Sequence, residues 1–251
     1  MSWSLIIRLL VLALLIAFLV APESFAFLLQ PFTKIGQPAI YDRGTLWGLT
    51  LSHLAITFAA TSLATLVALG LAILVTRPFG AEFLPLSRSL ANIGQTFPPV
   101  AVLALTVPIL GFGTAPTLVA LFLYGLLPIF ENSITGLTTL PPTVTVAARG
   151  MGMTGLQRLV RVELPLALPV ILSGVRLSTV ISLATATIGS TVAARTLGEI
   201  IIAGLTASNT AFVMQGGLIV AVLAVLIYDG LSALERFFVA RTTKGSSLSP
   251  R

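Results

Sequence analysis

The chain has 251 residues, 14 of them basic and 8 acidic, so only 9% are charged while 56% are apolar. An ordinary soluble domain carries roughly 25% charged residues, so this chain lacks the polar surface that a soluble enzyme or a disordered polypeptide needs. It has no cysteine and a single histidine, His53, which excludes disulfides, thiolate chemistry and Cys/His zinc sites. It also has no glycine-rich phosphate loop ending in Gly-Lys-Ser/Thr.

A bilayer-spanning helix takes about 20 apolar residues, and the apolar runs predict an all-α integral membrane protein with about six transmembrane helices. The first run, Leu5 to Ala21, is interrupted by Arg8. It is read as a retained N-terminal transmembrane helix over residues 1–21. The alternative is a signal peptide with Ser24-Phe25-Ala26 as a poor cleavage site. Both readings put residues 22–47, with Pro22, Pro31 and Pro38, in an external loop. A transmembrane domain is expected over 48–238.

Its first span, Gly48 to Val75, carries Ala60, Ala64, Ala68 and Ala72 on one helical face, which permits close helix approach in lipid. Another span is expected from about Leu90 to Leu110, broken by Pro98-Pro99 and Pro108, and the next from about Ala115 to Leu137 with Pro128 inside it. The fifth span of the chain begins near Leu164-Pro165 and runs to about Ala194. Gly174, Ser178, Ser182, Ala186, Ser190 and Ala194 form a second stripe of small residues along it. A short segment, Thr196 to Thr206, is expected at the outer interface. The last span covers about Ala211 to Leu234, and the polar tail from Glu235, with residues 239–251 as its cytoplasmic end, is expected to be loose.

Charge placement sets the orientation. With six spans and an inside N-terminus, the inner side holds Arg77, Arg88, Arg149, Arg158, Arg161, Arg236, Arg241, Lys244 and Arg251. The outer side holds Lys34, Arg43 and Arg195. This obeys the positive-inside rule, with both termini cytoplasmic, and the net charge of +6 needs no nucleic acid to explain it.

The inner loop 141–163 carries the strongest signal. Thr154 can cap a helix, after which Leu156, Leu159 and Val160 share a face, and glycines 150, 152 and 155 divide the stretch into helix, turn, helix. Pro165 is expected to end or kink the second helix. Such an amphipathic elbow could lie on the inner leaflet or dock into a groove on another protein.

The spacing Ala147-Ala148, Gly152, nine residues, then Val162-x-Leu164-Pro165 resembles the EAA-x3-G-x9-I-x-LP signature of ABC importer permeases. From about Leu46 to Phe238 the chain is similar to the osmoprotectant branch of that family. Gln95-Thr96-Phe97-Pro98-Pro99, Ala147 to Met153, and Arg161 to Leu172 followed by Gly174-Val175-Arg176 carry this likeness. The resemblance implies a type I ABC importer permease-like bundle whose coupling loop seats on a cytoplasmic ATPase. Ala147, Ala148, Arg149, Gly150, Gly152, Arg158, Arg161, Val162, Leu164 and Pro165 would form that loop. One departure stands out, because Val146 occupies the position of the motif's glutamate.

Ionisable groups within spans are costly and often functional. Glu131 with Asn132, Asp229 and Arg176 are therefore pathway or gate candidates, beside Pro98, Pro99 and the hydroxyl of Ser182. Arg176 is expected to pair with Glu131 or Asp229, and His53 to sit at the outer interface.

The resemblance implies a non-catalytic permease subunit in the bacterial inner membrane, in a dimer with itself or a homologue. It implies no cofactor and no metal in this chain, with ATP and magnesium on the ATPase and a substrate-binding protein outside. Glycine betaine, choline, carnitine or a related solute is the expected cargo. The alternatives are a permease for an amino acid or bile acid, an ATP-independent secondary transporter, or a membrane scaffold.

Overall fold

The structure, a computed structural model, describes residues 3–244, and no strand occurs among them. Helix α1 is Trp3–Val20. A sharp bend of 113° leads from it into a hook of short helical turns, Pro22–Phe32. Helix α2 is Leu46–Val75. Helices α3, Leu84–Thr96, and α4, Pro99–Leu110, follow, and then α5, Thr114–Thr138. Helix α6 is Pro142–Gly150. Helix α7 is the continuous helical stretch Gly155–Val192. The short α8, Gly198–Thr206, and the long α9, Thr210–Lys244, complete the order.

Four helices are long and apolar enough to cross a membrane, or up to six if each of two bent pairs counts as one span. The expected third span is one of these pairs and is not a straight helix. Pro98 lacks a donor and is itself followed by proline, which pushes it to extended backbone (φ −58°, ψ 138°). The helix ends at Thr96 and restarts with Pro99 in its first turn, where a missing N–H costs nothing.

The chain divides into two compact units: Met1–Ala60, Phe97–Leu121 and Val180–Ile227 in the first, Thr61–Thr96, Phe122–Thr179 and Tyr228–Arg251 in the second. In the first unit Leu15 and Leu19 of α1 join Leu46, Leu49, Leu183, Leu197, Ile200, Phe212 and Ile219 in one core. The loop before α2 is held down rather than free. Gln215 donates to the Ala39 carbonyl and accepts from the Tyr41 N–H, and Asn209 donates to the Pro38 carbonyl.

His53 is fully buried, not interfacial. Its Nδ1 accepts from the Leu197 N–H and its Nε2 lies 3.0 Å from the Leu183 carbonyl, because the segment leading into α8 folds over it. α8 likewise packs inward through Leu197, Ile200 and Ala203, leaving Leu205 exposed.

In the second unit Ala64, Ala68 and Ala72 are buried against Ile129, Phe130 and Ile134, as the alanine stripe predicts. The polar tail is not loose as far as it is described: α9 continues to Lys244. No glycine or proline interrupts the run from Ser232, so nothing stops it. The last residues of the expected tail, 245–251, lie outside the described residues.

Candidate coupling elbow and ion pairs

The elbow is specified by two capping devices in series. α6 begins at Pro142 and closes with a left-handed residue, Gly152, at φ +75°. The Met153 N–H bonds to the Ala148 carbonyl and the Gly152 N–H to the Arg149 carbonyl, which together satisfy the helix end in a Schellman arrangement. Thr154 then opens α7. Its hydroxyl accepts from the Gln157 N–H at 3.3 Å, while the Gln157 side chain accepts from the Thr154 N–H at 3.0 Å. This reciprocal capping box starts the second helix within two residues of the first helix's end.

Pro165 does not end α7. Instead, one turn before it, Leu159–Glu163 widens into a π-helical turn in which the Leu164 N–H bonds to the Leu159 carbonyl. π-Turns of this kind often mark functional sites. In a regular α-helix, residues five apart point in different directions. The wider turn brings Arg158 and Glu163 together, with Arg158 Nε 2.7 Å from Glu163 Oε1. Arg77, just past the end of α2, lies 2.7 Å from Glu163 Oε2. Glu163 is only 5% exposed, so one buried carboxylate holds two guanidiniums and ties the elbow to the end of α2.

The expected coupling residues therefore separate. Ala147, Arg149, Gly150, Gly152, Arg161 and Pro165 are exposed, and Val162 and Leu164 are half-buried. Ala148 is buried, and Arg158 is turned inward onto Glu163. The outer face of the elbow is instead apolar: Val146, Met151, Leu156 and Val160 are all more than half exposed, Leu156 at 71%. Leu159 turns the other way, into the cluster of Leu137, Ala167 and Ile171.

The expected pairing of Arg176 with Glu131 or Asp229 is replaced by a different one. Arg176 bonds to Glu235 at 2.7 Å and to the Ser232 hydroxyl at 2.8 Å, and its guanidinium stacks on Tyr228 at 4.7 Å. The helical continuation of α9 past Leu234 is what brings Glu235 within reach. Glu131 pairs with Arg88 instead, through two parallel hydrogen bonds. Asn132 donates to the Pro128 carbonyl, a group exposed by the proline in α5. Asp229 is half-buried, and Ser182 is fully buried with no partner for its hydroxyl.

Sequence reasoning missed Arg77, Glu163 and Arg88. The only signal for the first two was an acid set among arginines, and only the π-turn makes them neighbours.

Two cavities lie elsewhere, both in the first unit. An apolar cleft of about 340 Å³ is bounded by Val11, Leu14, Phe18, Leu28 and Leu218, and offers only hydrocarbon. A cavity of about 690 Å³ is lined by Glu23, Tyr41, Asp42, Arg43 and Trp47. Tyr41 donates to Glu199 at 2.8 Å; burial, then this bond, pushes its phenol up to about 12.

A reversal capped at both ends, set between long apolar helices, defines a membrane permease with a docking elbow. The family model for the inner membrane component of binding-protein-dependent transport systems matches residues 68–244, and the chain belongs to that family.

The osmoprotectant import permease protein OsmY of Salmonella typhimurium is 41% identical over 181 residues, which is 72% of this chain and 76% of that protein. The carnitine transport permease protein OpuCB of Listeria monocytogenes is 38% identical over 74% of this chain and 84% of its own length. The choline transport system permease protein OpuBB of Bacillus subtilis is 37% identical over 74% and 85%. Among solved structures, an inward-facing MetNI methionine ABC transporter matches with a TM-score of 0.68 and 23% identity, over 77% of this chain and 95% of that one. That likeness concerns the fold, which is the type I importer permease bundle.

Proposed function

We propose that this chain is the permease subunit of an ATP-driven importer for glycine betaine, choline, carnitine or a related osmoprotectant. The elbow carries this reading. Its exposed apolar face, Val146, Met151, Leu156 and Val160, is flanked by Arg149 and Arg161 and lies outside the apolar cores of the spans. Such a surface needs a protein partner, and an ATPase subunit holding ATP and magnesium is the partner that an importer requires. The names of the curated relatives support the choice of solute, and their covered lengths support carrying it over.

In this reading the elbow faces the cytoplasm, both termini lie inside, and α1 is retained. A second permease, identical or homologous, completes the pathway, and a binding protein delivers solute from outside. Closure of the ATPases pushes on the elbow. The Arg77–Glu163–Arg158 clasp passes that push to α2, so the helices rock as rigid bodies rather than the loop flexing alone. Val146 leaves the elbow without the acid found in related motifs, so apolar contact carries more of the docking here. Pro98, Pro99, Glu131, Asn132 and Arg176 are the candidates for gate or pathway.

The test is reconstitution in liposomes with the ATPase and the binding protein. Accumulation of glycine betaine or choline that requires both partners and ATP is expected. Accumulation without the ATPase would point to a secondary transporter and overturn the reading.

A further inference from the structure

α3 has three distinct faces. Ser87, Ala91 and Gly94 are buried, and a Cβ on Gly94 would fall 2.1 Å from the Leu123 carbonyl, so α3 and α5 touch nearly backbone to backbone. A second face is apolar and exposed: Leu86, Leu90 and Ile93. The third is polar and exposed: Arg88, Asn92 and Gln95, on the opposite flank by helical spacing.

The polar face runs along α5. Arg88 holds Glu131, and Gln95 donates to the Tyr124 carbonyl at 3.3 Å. Seven residues separate the two contacts on each helix, and they run in opposite directions, so the helices are antiparallel here. At about 1.5 Å per residue, a polar strip about 10 Å long results. It has an ion pair at one end and an aromatic residue, Tyr124, at the other.

The Arg88 and Glu131 side chains are 51% and 37% exposed. A half-exposed ion pair facing lipid would be expensive. Facing water it contributes only about 0–1 kcal/mol, so a solute carrying both charges can open it at little cost.

We infer that the Arg88–Glu131 pair, with Tyr124 beside it, is a solute-contacting site for zwitterions. The pairing is exchanged in transit. The solute carboxylate takes the guanidinium fork of Arg88, whose planar geometry matches it bidentately. The quaternary ammonium takes the Glu131 carboxylate and the electron-rich face of Tyr124. A cation without a carboxylate, such as choline, uses Glu131 and Tyr124 only. The site rests on the proposed osmoprotectant reading and adds to it a charge-based discrimination within the permease itself.

The experiment uses the complete complex in liposomes at saturating loaded binding protein. Initial uptake of glycine betaine and of choline is measured for the wild type and for Arg88→Met, with stimulated ATP hydrolysis as a control for coupling. The expected result is a fall of about tenfold in glycine betaine uptake with choline changed less than about twofold, as for loss of a bidentate contact. Glu131→Gln should lower both.

Equal loss of both solutes with Arg88→Met, or no loss of either, overturns the site and leaves an importer with a structural pair. Full recovery in the reversed double variant Arg88→Glu/Glu131→Arg overturns it too. If Arg88→Met does not assemble, Arg88→Lys keeps the charge without the fork, and the same selective loss is required of it. A wild type that accumulates neither solute removes the proposed function itself, and this site with it.

Discussion

Glu163 is the acid around which the elbow is organised. It is buried, and two guanidiniums reach it from different helices. Removing one member of such a cluster leaves uncompensated charge, at a cost of about 3–5 kcal/mol. Glu163→Gln is therefore expected to lower the unfolding temperature of the detergent-solubilised chain. It should also weaken the link between ATP hydrolysis and uptake, seen as a higher ratio of ATP consumed to solute moved.

Gly152 tests a different physical cause. Its φ is +75° and nothing lies within 4 Å of a Cβ placed there, so only the backbone conformation limits substitution. Gly152→Asn should be tolerated, whereas Gly152→Val should cost at least about 1–2 kcal/mol. Thermal unfolding of the two variants side by side separates strain from crowding.

Tyr41 offers a pH handle. Its folded pKa of about 12 lies above the ordinary value of about 10, so the fold favours the neutral phenol. That contribution is full below pH 10 and is lost as pH rises from 10 toward 12. An ultraviolet titration should show one late-ionising tyrosine, absent in Tyr41→Phe.

Among the elements, close helix contact in the second unit depends on glycine. A Cβ on Gly174 of α7 would fall 2.7 Å from both the Pro128 carbonyl and the Asn132 Cβ of α5. The backbone carbonyl cannot swing aside as a side chain can. Gly174→Val should thus destabilise by about 1–3 kcal/mol. Gly230→Ala in α9, where nothing lies within 4 Å, should be neutral in the same melting assay or slightly stabilising. The π-turn in α7 has a related logic. By widening the helix one turn before Pro165, it accommodates the proline's missing donor and directs Glu163 inward.

For the molecule as a whole, the exposed apolar elbow makes docking a matter of hydrophobic contact. Leu156→Glu is expected to leave membrane insertion intact, because the side chain is largely exposed in the chain alone. It should lower retention of the ATPase in a pull-down about tenfold, in the range of an interface anchor. Unchanged retention would move the docking surface elsewhere.

Composition and periodicity alone determined the class of this protein. A chain 9% charged and 56% apolar must place its helices in lipid, and apolar runs near 20 residues mark the spans because bilayer thickness sets their length. The elbow was legible too, since Thr154, Gln157 and glycines 150 and 152 act through bonds a few residues apart. The alanine stripe of α2 was legible for the same reason of local spacing.

Tertiary structure decided the pairing of charges. Arg77 with Glu163, Arg88 with Glu131 and Arg176 with Glu235 join residues 43 to 86 positions apart, and no local pattern encodes which acid each arginine reaches. Whether a proline bends a helix was decided at the same level. The Pro98–Pro99 pair breaks one, whereas Pro128 and Pro165 are carried through where a side-chain donor or a widened turn meets the freed carbonyl or absorbs the lost donor.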